Sequence, residues 1–364
     1  MLTFLITMQE NLKTVIKELS EIYDKENQDT FLSLYLTESL DQKFLQRRKK
    51  ACRSILKGRE LANFNETIKN IEVFFKKNTH KNLAVFSSKK YNYNKFLPLS
   101  VKLENLLVVD SSPYIRPLAR ILDEWESYTL ILLNTNSAKI FSISMGKVDD
   151  IKKISKDIIN KHKKGGWSQA RFNRLRKGAI NSFFKDVVLL LEKISDEKII
   201  ISGPGTAKNK FIDMLPQNLR DKVIDIIDIS IEDENKLIEQ SLQLVSENEK
   251  KESIEAVKHL KSEILKDGLA VYGVEETLQA VKNGQVELLI IEKNYNLKGW
   301  ICEHCQYVGE GAKRTCPYCG KKTSEVDVLE EILEFAERTD AEVEFTDSEE
   351  ISDLGHIGGI LRYK

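Results

Sequence analysis

The chain of 364 residues balances 56 Lys and Arg against 56 Asp and Glu, so its formal charge is zero and a uniformly basic, polyanion-coating surface is excluded. A hydrophobic content of 41% and a charged content of 31% are ordinary for globular chains, and the length suits two or three domains with their own cores. The opening Met-Leu-Thr-Phe-Leu-Ile-Thr-Met is too short for a signal peptide and Glu10 interrupts it, while no window approaches the roughly 18 apolar residues of a membrane span. The expectation is a cytoplasmic protein with no membrane partner.

Residues 1–80 read as a mostly helical N-terminal domain with one strand candidate, Phe31–Leu36. The run Arg47-Arg48-Lys49-Lys50 has the character of a solvated helix face, and Cys52, without a partner cysteine, that of an ordinary buried or half-buried thiol. From 81 to 232, short apolar runs at Leu83–Phe86, Leu106–Val109, Thr129–Leu133, Lys139–Ile143 and Lys198–Ile201 read as buried strands, with helices at Pro117–Trp125 and Ser168–Leu191. Strands alternating with helices predict an α/β middle domain, a sheet packed by helices. In the second helix Phe172, Leu175, Ala179, Phe183, Val187 and Leu190 fall on one face, and Arg171, Arg174 and Lys177 on another.

Charge is concentrated ahead of that helix. From Lys152 to Lys185 there are eleven Lys and Arg and a single acid, Asp157, and Gly165-Gly166 stand in the middle of them. Adjacent glycines permit close backbone approach and φ > 0, and a basic flexible loop in a neutral protein points to delivery into a polyanion. Gln169 offers a neutral donor and acceptor able to hold a water molecule. His162 lies among Lys161, Lys163 and Lys164, where neighbouring positive charge disfavours its protonation and phosphate contact suits it better than a general-base role. The loop contains no Ser-His-Asp set and no catalytic metal ligands.

Ser202-Gly203-Pro204-Gly205, with Lys208 nearby, lacks the spacing of a phosphate loop and reads as a structural turn. A highly charged helix is expected from Ile231 to about Lys266, then a Tyr272-Gly273 turn, a helix to Gly284 and the strand Val286–Ile291. Two Cys-x-x-Cys knuckles, Cys302/Cys305 and Cys316/Cys319, are separated by ten residues. Four thiolates on two tight turns make a closed tetrahedral site for a structural Zn²⁺, a zinc ribbon at about 298–322. His304, inside the first knuckle, is expected to be exposed. Glu325 to Asp353 contain thirteen acids and one base, Arg338. They read as a helix and strand with a solvated acidic face, or as a docking surface for a basic partner.

The segment Gly165-Gly166-Trp167-Ser168-Gln169-Ala170-Arg171-Phe172-Asn173-Arg174-Leu175-Arg176 resembles the catalytic loop of the class I peptide chain release factors of archaea and eukaryotes. Gly165, Gly166, Ser168, Arg171, Phe172, Arg174 and Arg176 fall in register with it. Trp167 occupies the place of the family glutamine, and Gln169 follows two residues later; Gly-Gly-Trp-Ser-Gln is similar to the divergent Vms-type release-factor-like hydrolases. The Tyr272-Gly273 turn, the strand leading into the cysteines and the terminal Gly359-Ile360-Leu361-Arg362-Tyr363 resemble the C-terminal domain of the same family.

The resemblance implies a multidomain α/β protein. The resemblance covers about 81–364; composition shifts set the expected domains at 1–80 for the N-terminal domain, 81–232 for the middle domain with its Gly-Gly loop, and 233–364 for an α/β C-terminal domain carrying the zinc-ribbon insertion. It implies hydrolysis of the peptidyl-tRNA ester on the ribosome, with Gly165, Gly166 and Gln169 as catalytic candidates. Lys163, Lys164, Trp167, Ser168, Arg171 and Arg174 would contact nucleic acid; Trp167 either stacks on a base or packs the loop against its own domain. Stop-codon-reading members carry Asn-Ile-Lys-Ser and Tyr-x-Cys-x-x-x-Phe motifs in the N-terminal domain, and neither occurs in residues 1–80. The implied activity is therefore codon-independent ribosome rescue, with a translational GTPase as a possible partner of the C-terminal domain. A non-catalytic ribosome-binding surveillance factor, an RNA-binding module with a zinc ribbon and a conventional termination factor are the alternatives.

Overall fold

A computed structural model describes residues 12–37, 42–77, 82–158, 167–194, 196–228, 234–302 and 304–364. The chain forms two compact units, one made of Met1–Glu124 with Lys250–Lys364 and the other of Trp125–Glu249. Among the described residues no helix is long and apolar enough to cross a membrane.

The first unit begins with α1 (Leu12–Ser20), whose Leu12, Val15, Ile16 and Leu19 recur at helical spacing and are buried. Next come β1 (Phe31–Leu36), α2 (Gln42–Ile55), α3 (Gly58–Lys77), β2 (Leu83–Ser88), β3 (Tyr93–Pro98), β4 (Leu106–Asp110) and α4 (Arg116–Glu124). The four strands form one antiparallel sheet in the order β3-β2-β1-β4. Residues alternate across a strand. Leu32, Leu34, Val85 and Phe96 therefore meet Leu45, Phe64, Ile68 and Phe74 of α2 and α3 in one core, to which Cys52 belongs. The strands at 83 and 106, expected within a middle domain starting at 81, thus pair with β1 instead. An apolar run reports burial, not the identity of its hydrogen-bonding neighbour.

The second unit contains β5 (Tyr128–Leu133), β6 (Ser137–Ser144), β7 (Lys147–Ser155), α5 (Trp167–Ile194), β8 (Lys198–Ser202), α6 (Ala207–Ile212), α7 (Gln217–Arg220), β9 (Val223–Ile227) and the first part of α8 (Glu234–Leu265). Its sheet runs β7-β6-β5-β8-β9, antiparallel through the hairpins and parallel from β5 to β9. Parallel neighbours need crossover connections, which the helices supply. On one face Ile131, Leu133 and Ile201 pack against Phe183, Val187 and Leu191 of α5 and Phe211 of α6. On the other, Leu130, Leu132 and Ile200 pack against Leu237 and Val245 of α8. The result is a helix–sheet–helix layering.

The turn after β8 is structural. At Gly203, φ is 151°, and a Cβ there would overlap the Leu133 carbonyl oxygen. Buried Lys208 donates to the Gly203 and Gly205 carbonyls at 3.2 and 3.3 Å and pairs with Asp228, so its ammonium is committed to the turn.

The remainder of the first unit comprises β10 (Ala270–Tyr272), α9 (Val274–Lys282), β11 (Val286–Glu292), β12 (Lys298–Cys302), β13 (Tyr307–Glu310), β14 (Ser324–Asp327), α10 (Val328–Arg338), β15 (Glu342–Thr346), α11 (Glu349–Ser352) and β16 (Ile357–Leu361). One sheet has the order β10-β16-β11-β15 and a small ribbon the order β13-β12-β14. Gly358 and Gly359 lie in β16 where the neighbouring Leu260 and Val286 side chains leave no comfortable room for a Cβ, a packing reason for this part of the terminal sequence.

The acidic segment departs from the expected solvated face. Glu330, Glu331, Glu334 and Glu337 of α10 are all buried. The Glu330 carboxylate accepts from the backbone N–H groups of Ile115 and Arg116 at the start of α4, donors that a helix leaves unpaired. Glu334 accepts from the Ser112 hydroxyl at 2.6 Å and from Arg338 at 2.7 Å. Arg116, 7% exposed, donates to Asn296 and Asp327 at 2.8 and 3.0 Å. Burial pushes the Glu330 and Glu334 carboxyls well up, against the opposing pull of these donors.

Candidate functional site

The basic segment ends in α5. Trp167 and Ser168 are its first two residues and Gln169 its third, half-buried. The four leading backbone N–H groups of a helix have no intrahelical partner and carry the positive end of its dipole. Those of Trp167, Ser168, Gln169 and Ala170 are in that position. Gln169 is thus a first-turn helical residue. His162, Lys163, Lys164, Gly165 and Gly166 lie outside the described residues.

The expected apolar face of α5 is buried only in part. Phe183 and Val187 are in the core and Leu190 is partly buried against it, whereas Phe172 and Leu175 are 40% and 53% exposed. Arg171, Arg174 and Lys177 are exposed along the same turns. The first three turns therefore run beyond the sheet core with guanidinium and ammonium groups turned to solvent, suited to phosphate. At the other end of the basic segment, Lys156 donates to Ser182 and Asp186 at 2.9 and 3.0 Å, tying the exit of β7 to the middle of α5.

The four cysteines form a second candidate site. Cys302 closes β12 and Cys316 follows the isolated bridge Thr315–Lys322. Each knuckle returns an N–H to its first cysteine: Gln306 to the Cys302 carbonyl at 2.7 Å and Gly320 to that of Cys316 at 3.0 Å. The returning residues have φ of 55° and 69°. Cys302 and Cys319 sulfurs are 3.4 Å apart, those of Cys305 and Cys316 3.6 Å, and all four lie within 4.8 Å of one another. A disulfide would need about 2.05 Å. Tetrahedral thiolates about 2.3 Å from a metal stand about 3.8 Å apart, so the donor set fits a four-coordinate metal. Although burial opposes ionisation of Cys316, N–H groups of Cys319 and Tyr318 aimed at it hold its thiol at about 7. His304 is exposed, as expected.

Sequence reasoning missed the aromatic surroundings of this cluster. Trp300 stacks on Tyr307 at 5.6 Å, and Tyr307 meets Tyr318 at 4.1 Å. The tyrosine inside the second knuckle was the available signal. Lys282 of α9 sits over the Tyr307 and Phe335 rings, and burial lowers its pKa.

Residues 113–247 match the model of bacterial archaeo-eukaryotic release factor family 10, and residues 250–364 match eRF1 domain 3. Peptide chain release factor subunit 1 of Methanosphaera stadtmanae is 31% identical over 286 residues, covering 70% of each chain. That of Thermococcus onnurineus is 31% identical over 304 residues, covering 73% of this chain and 72% of the relative. Among solved structures, the archaeal translation termination factor aRF1 aligns over 97% of both chains at 18% identity and a TM-score of 0.28. S. cerevisiae Dom34, described as a translation termination-like factor that interacts with Hbs1, aligns over 97% of this chain and 93% of its own at 13% identity and a TM-score of 0.43. By its sequence relatives, this chain belongs to the family of archaeal and eukaryotic peptide chain release factors.

Proposed function

We propose that the protein is a codon-independent peptidyl-tRNA hydrolase that frees nascent chains from stalled ribosomes, on the Vms-type branch of its family. The observation that carries this reading is the Gly165-Gly166-Trp167-Ser168-Gln169 sequence entering a helix whose first turns expose Arg171 and Arg174. Arg171 and Arg174, with Lys163 and Lys164, bind RNA phosphates. Ser168 and Trp167 contact the same nucleic acid.

Water attacks the ester carbonyl carbon, the bond to the tRNA 3′ oxygen breaks, and peptide acid and tRNA hydroxyl result. Gln169 orients that water. A backbone N–H at Gly166 or Trp167 faces the developing oxyanion, where preorganised donors act most strongly. The glycines admit the loop close to the ester. Cytoplasmic ribosomes carrying peptidyl-tRNA are the substrate, and the C-terminal domain is the docking point for a translational GTPase.

The domain roles proposed are those of an N-terminal region whose sheet extends past residue 80 to β4, a catalytic middle region and a C-terminal region from about 233. The metal is Zn²⁺, held by Cys302, Cys305, Cys316 and Cys319. It supplies cross-linking of two turns too short to hold each other, and no reaction step passes through it.

The test is to add pure protein to stalled ribosome–nascent-chain complexes and measure released peptide. Wild type should release it, and Gly166→Ala and Gln169→Ala should do so at least about tenfold more slowly, roughly 1.4 kcal/mol in the barrier, while still binding ribosomes. The helical placement of Gln169 favours one second reading, a non-catalytic ribosome-binding factor. No release by wild type would select it.

A further inference from the structure

We infer that the cysteine ribbon carries its own binding site for single-stranded RNA, centred on Tyr318 and separate from the helix α5 contacts. Three rings form a staircase at the ribbon: Trp300, 3% exposed, stacks on Tyr307, and Tyr307 packs on Tyr318, which is 68% exposed. The hydroxyls of the two tyrosines are 3.0 Å apart, which fixes the last ring in place. An aromatic side chain held by a tilted ring contact on one side and open on the other is a step prepared for one more planar ring. Base–aromatic stacking has that geometry and tolerates any base.

The ribbon's backbone gathers the charge that such a ligand requires. Thr315 bridges Lys322, Cys316 N–H donates to the Lys321 carbonyl at 2.8 Å, and Thr323 N–H donates to the Arg314 carbonyl at 3.3 Å. These bonds bring Lys313-Arg314 and Lys321-Lys322 side by side beside the Tyr318 knuckle. All four are exposed, and among the described residues none of them forms an ion pair. Lys313 lies over the Trp300 ring, so the cations and the staircase share one end of the ribbon. A tetrathiolate bound to a divalent cation is itself anionic, and charge balance alone would explain basic neighbours. It does not explain an exposed, braced tyrosine among them. A basic strip flanking an open aromatic step fits a strand that presents phosphates and unstacked bases together.

That the ligand is a single strand follows from the ribbon; that it is RNA rather than DNA rests on the translational reading above. The experiment uses the full chain carrying Arg171→Glu and Arg174→Glu, so that helix α5 does not mask the ribbon. Fluorescence anisotropy measures binding of a labelled oligouridylate 12-mer and of its oligothymidylate counterpart. Tyr318→Ala should weaken RNA binding about tenfold, and Tyr318→Phe, which keeps the ring but loses the hydroxyl bond, should recover most but not all of it. Lys321→Glu with Lys322→Glu should lower the salt slope by about 1.4, at about 0.7 per phosphate. Metal content measured for each variant shows that the ribbon stays formed. Unchanged affinity and salt slope in metal-replete Tyr318→Ala and lysine variants would overturn the site and leave the cations as balance for the thiolates. Tighter binding of the DNA strand would overturn the RNA assignment. Peptide release plays no part in these measurements, so failure of the hydrolase reading would be seen separately.

Discussion

Replacing Glu337 by Gln should make the first unit more stable at pH 8 and leave it nearly unchanged at pH 4.5. Glu337 is 8% exposed on α10, and burial pushes its carboxyl up to about 7 from an ordinary 4.5. Lys13 opposes that rise, Asp340 adds to it and Lys17 opposes it again. Below pH 4.5 the group is protonated whether the protein is folded or not, and it favours neither state. Between 4.5 and 7 the unfolded chain has lost its proton while the folded one retains it, so stability falls by about 1.4 kcal/mol for each pH unit. The accumulated loss by pH 8 is about 3 kcal/mol. Glutamine keeps the shape without the charge and should recover most of it, a rise in Tm of about 5–10 °C for a unit of this size. Urea unfolding of wild type and Glu337→Gln at both pH values provides the measurement. Other groups titrate in both proteins and cancel in the difference. A mutant–wild-type difference that does not grow from pH 4.5 to pH 8 would refute the assignment of a buried, raised carboxyl.

Three further outcomes are expected. Gly203→Ala should destabilise the second unit by at least about 2 kcal/mol in urea unfolding, because the new Cβ meets the Leu133 carbonyl in a turn that Lys208 already holds; wild-type stability would show that the turn relaxes freely. Cys316→Ser should reduce bound zinc from one equivalent to near zero by elemental analysis while peptide release persists, and stoichiometric metal in the mutant would remove Cys316 from the donor set. Arg171→Glu with Arg174→Glu should weaken ribosome binding and reduce its salt slope by about 1.4–1.8, the share of two phosphates; an unchanged slope would return those side chains to plain solvent exposure.

Much of this architecture was legible in the sequence, and each omission has a physical cause. Phe31–Leu36 and the core of Tyr128–Leu133 are central strands buried on both faces, so a continuous apolar run announces them. Three strands that left no such trace, Tyr93–Pro98, Lys147–Ser155 and Val223–Ile227, are sheet edges, whereas central Ile357–Leu361 escaped because Gly358 and Gly359 interrupt its apolar run. Lys147–Ser155 is exposed along nearly its whole length, and its Asp and Lys residues are typical of an edge protected from further pairing. Helix α10 failed differently. Its glutamates look like a wet face until α4 supplies backbone donors from more than 200 positions earlier in the chain, a partnership no local pattern encodes. At the candidate site, the cysteine spacing was sufficient to foresee the cluster, and the Arg positions their exposure. The entry of Gln169 into the helix was legible too, since the apolar spacing already set the helix start at Ser168, one residue from the observed Trp167.

The discontinuous first unit also sets a timetable for a chain made from its N-terminus. The Trp125–Glu249 unit is contiguous and can close as soon as it emerges. By contrast, the N–H groups at the start of α4 wait for Glu330, and Ser112 waits for Glu334. Roughly 200 residues separate α4 from α10, an interval of about 10–40 s at synthesis rates of 5–20 residues per second. During that time Leu12, Val15, Ile16 and Leu19 of α1 lack the α10 surface that helps bury them in the finished protein, and nascent chains at this stage should be the ones most readily captured by chaperones.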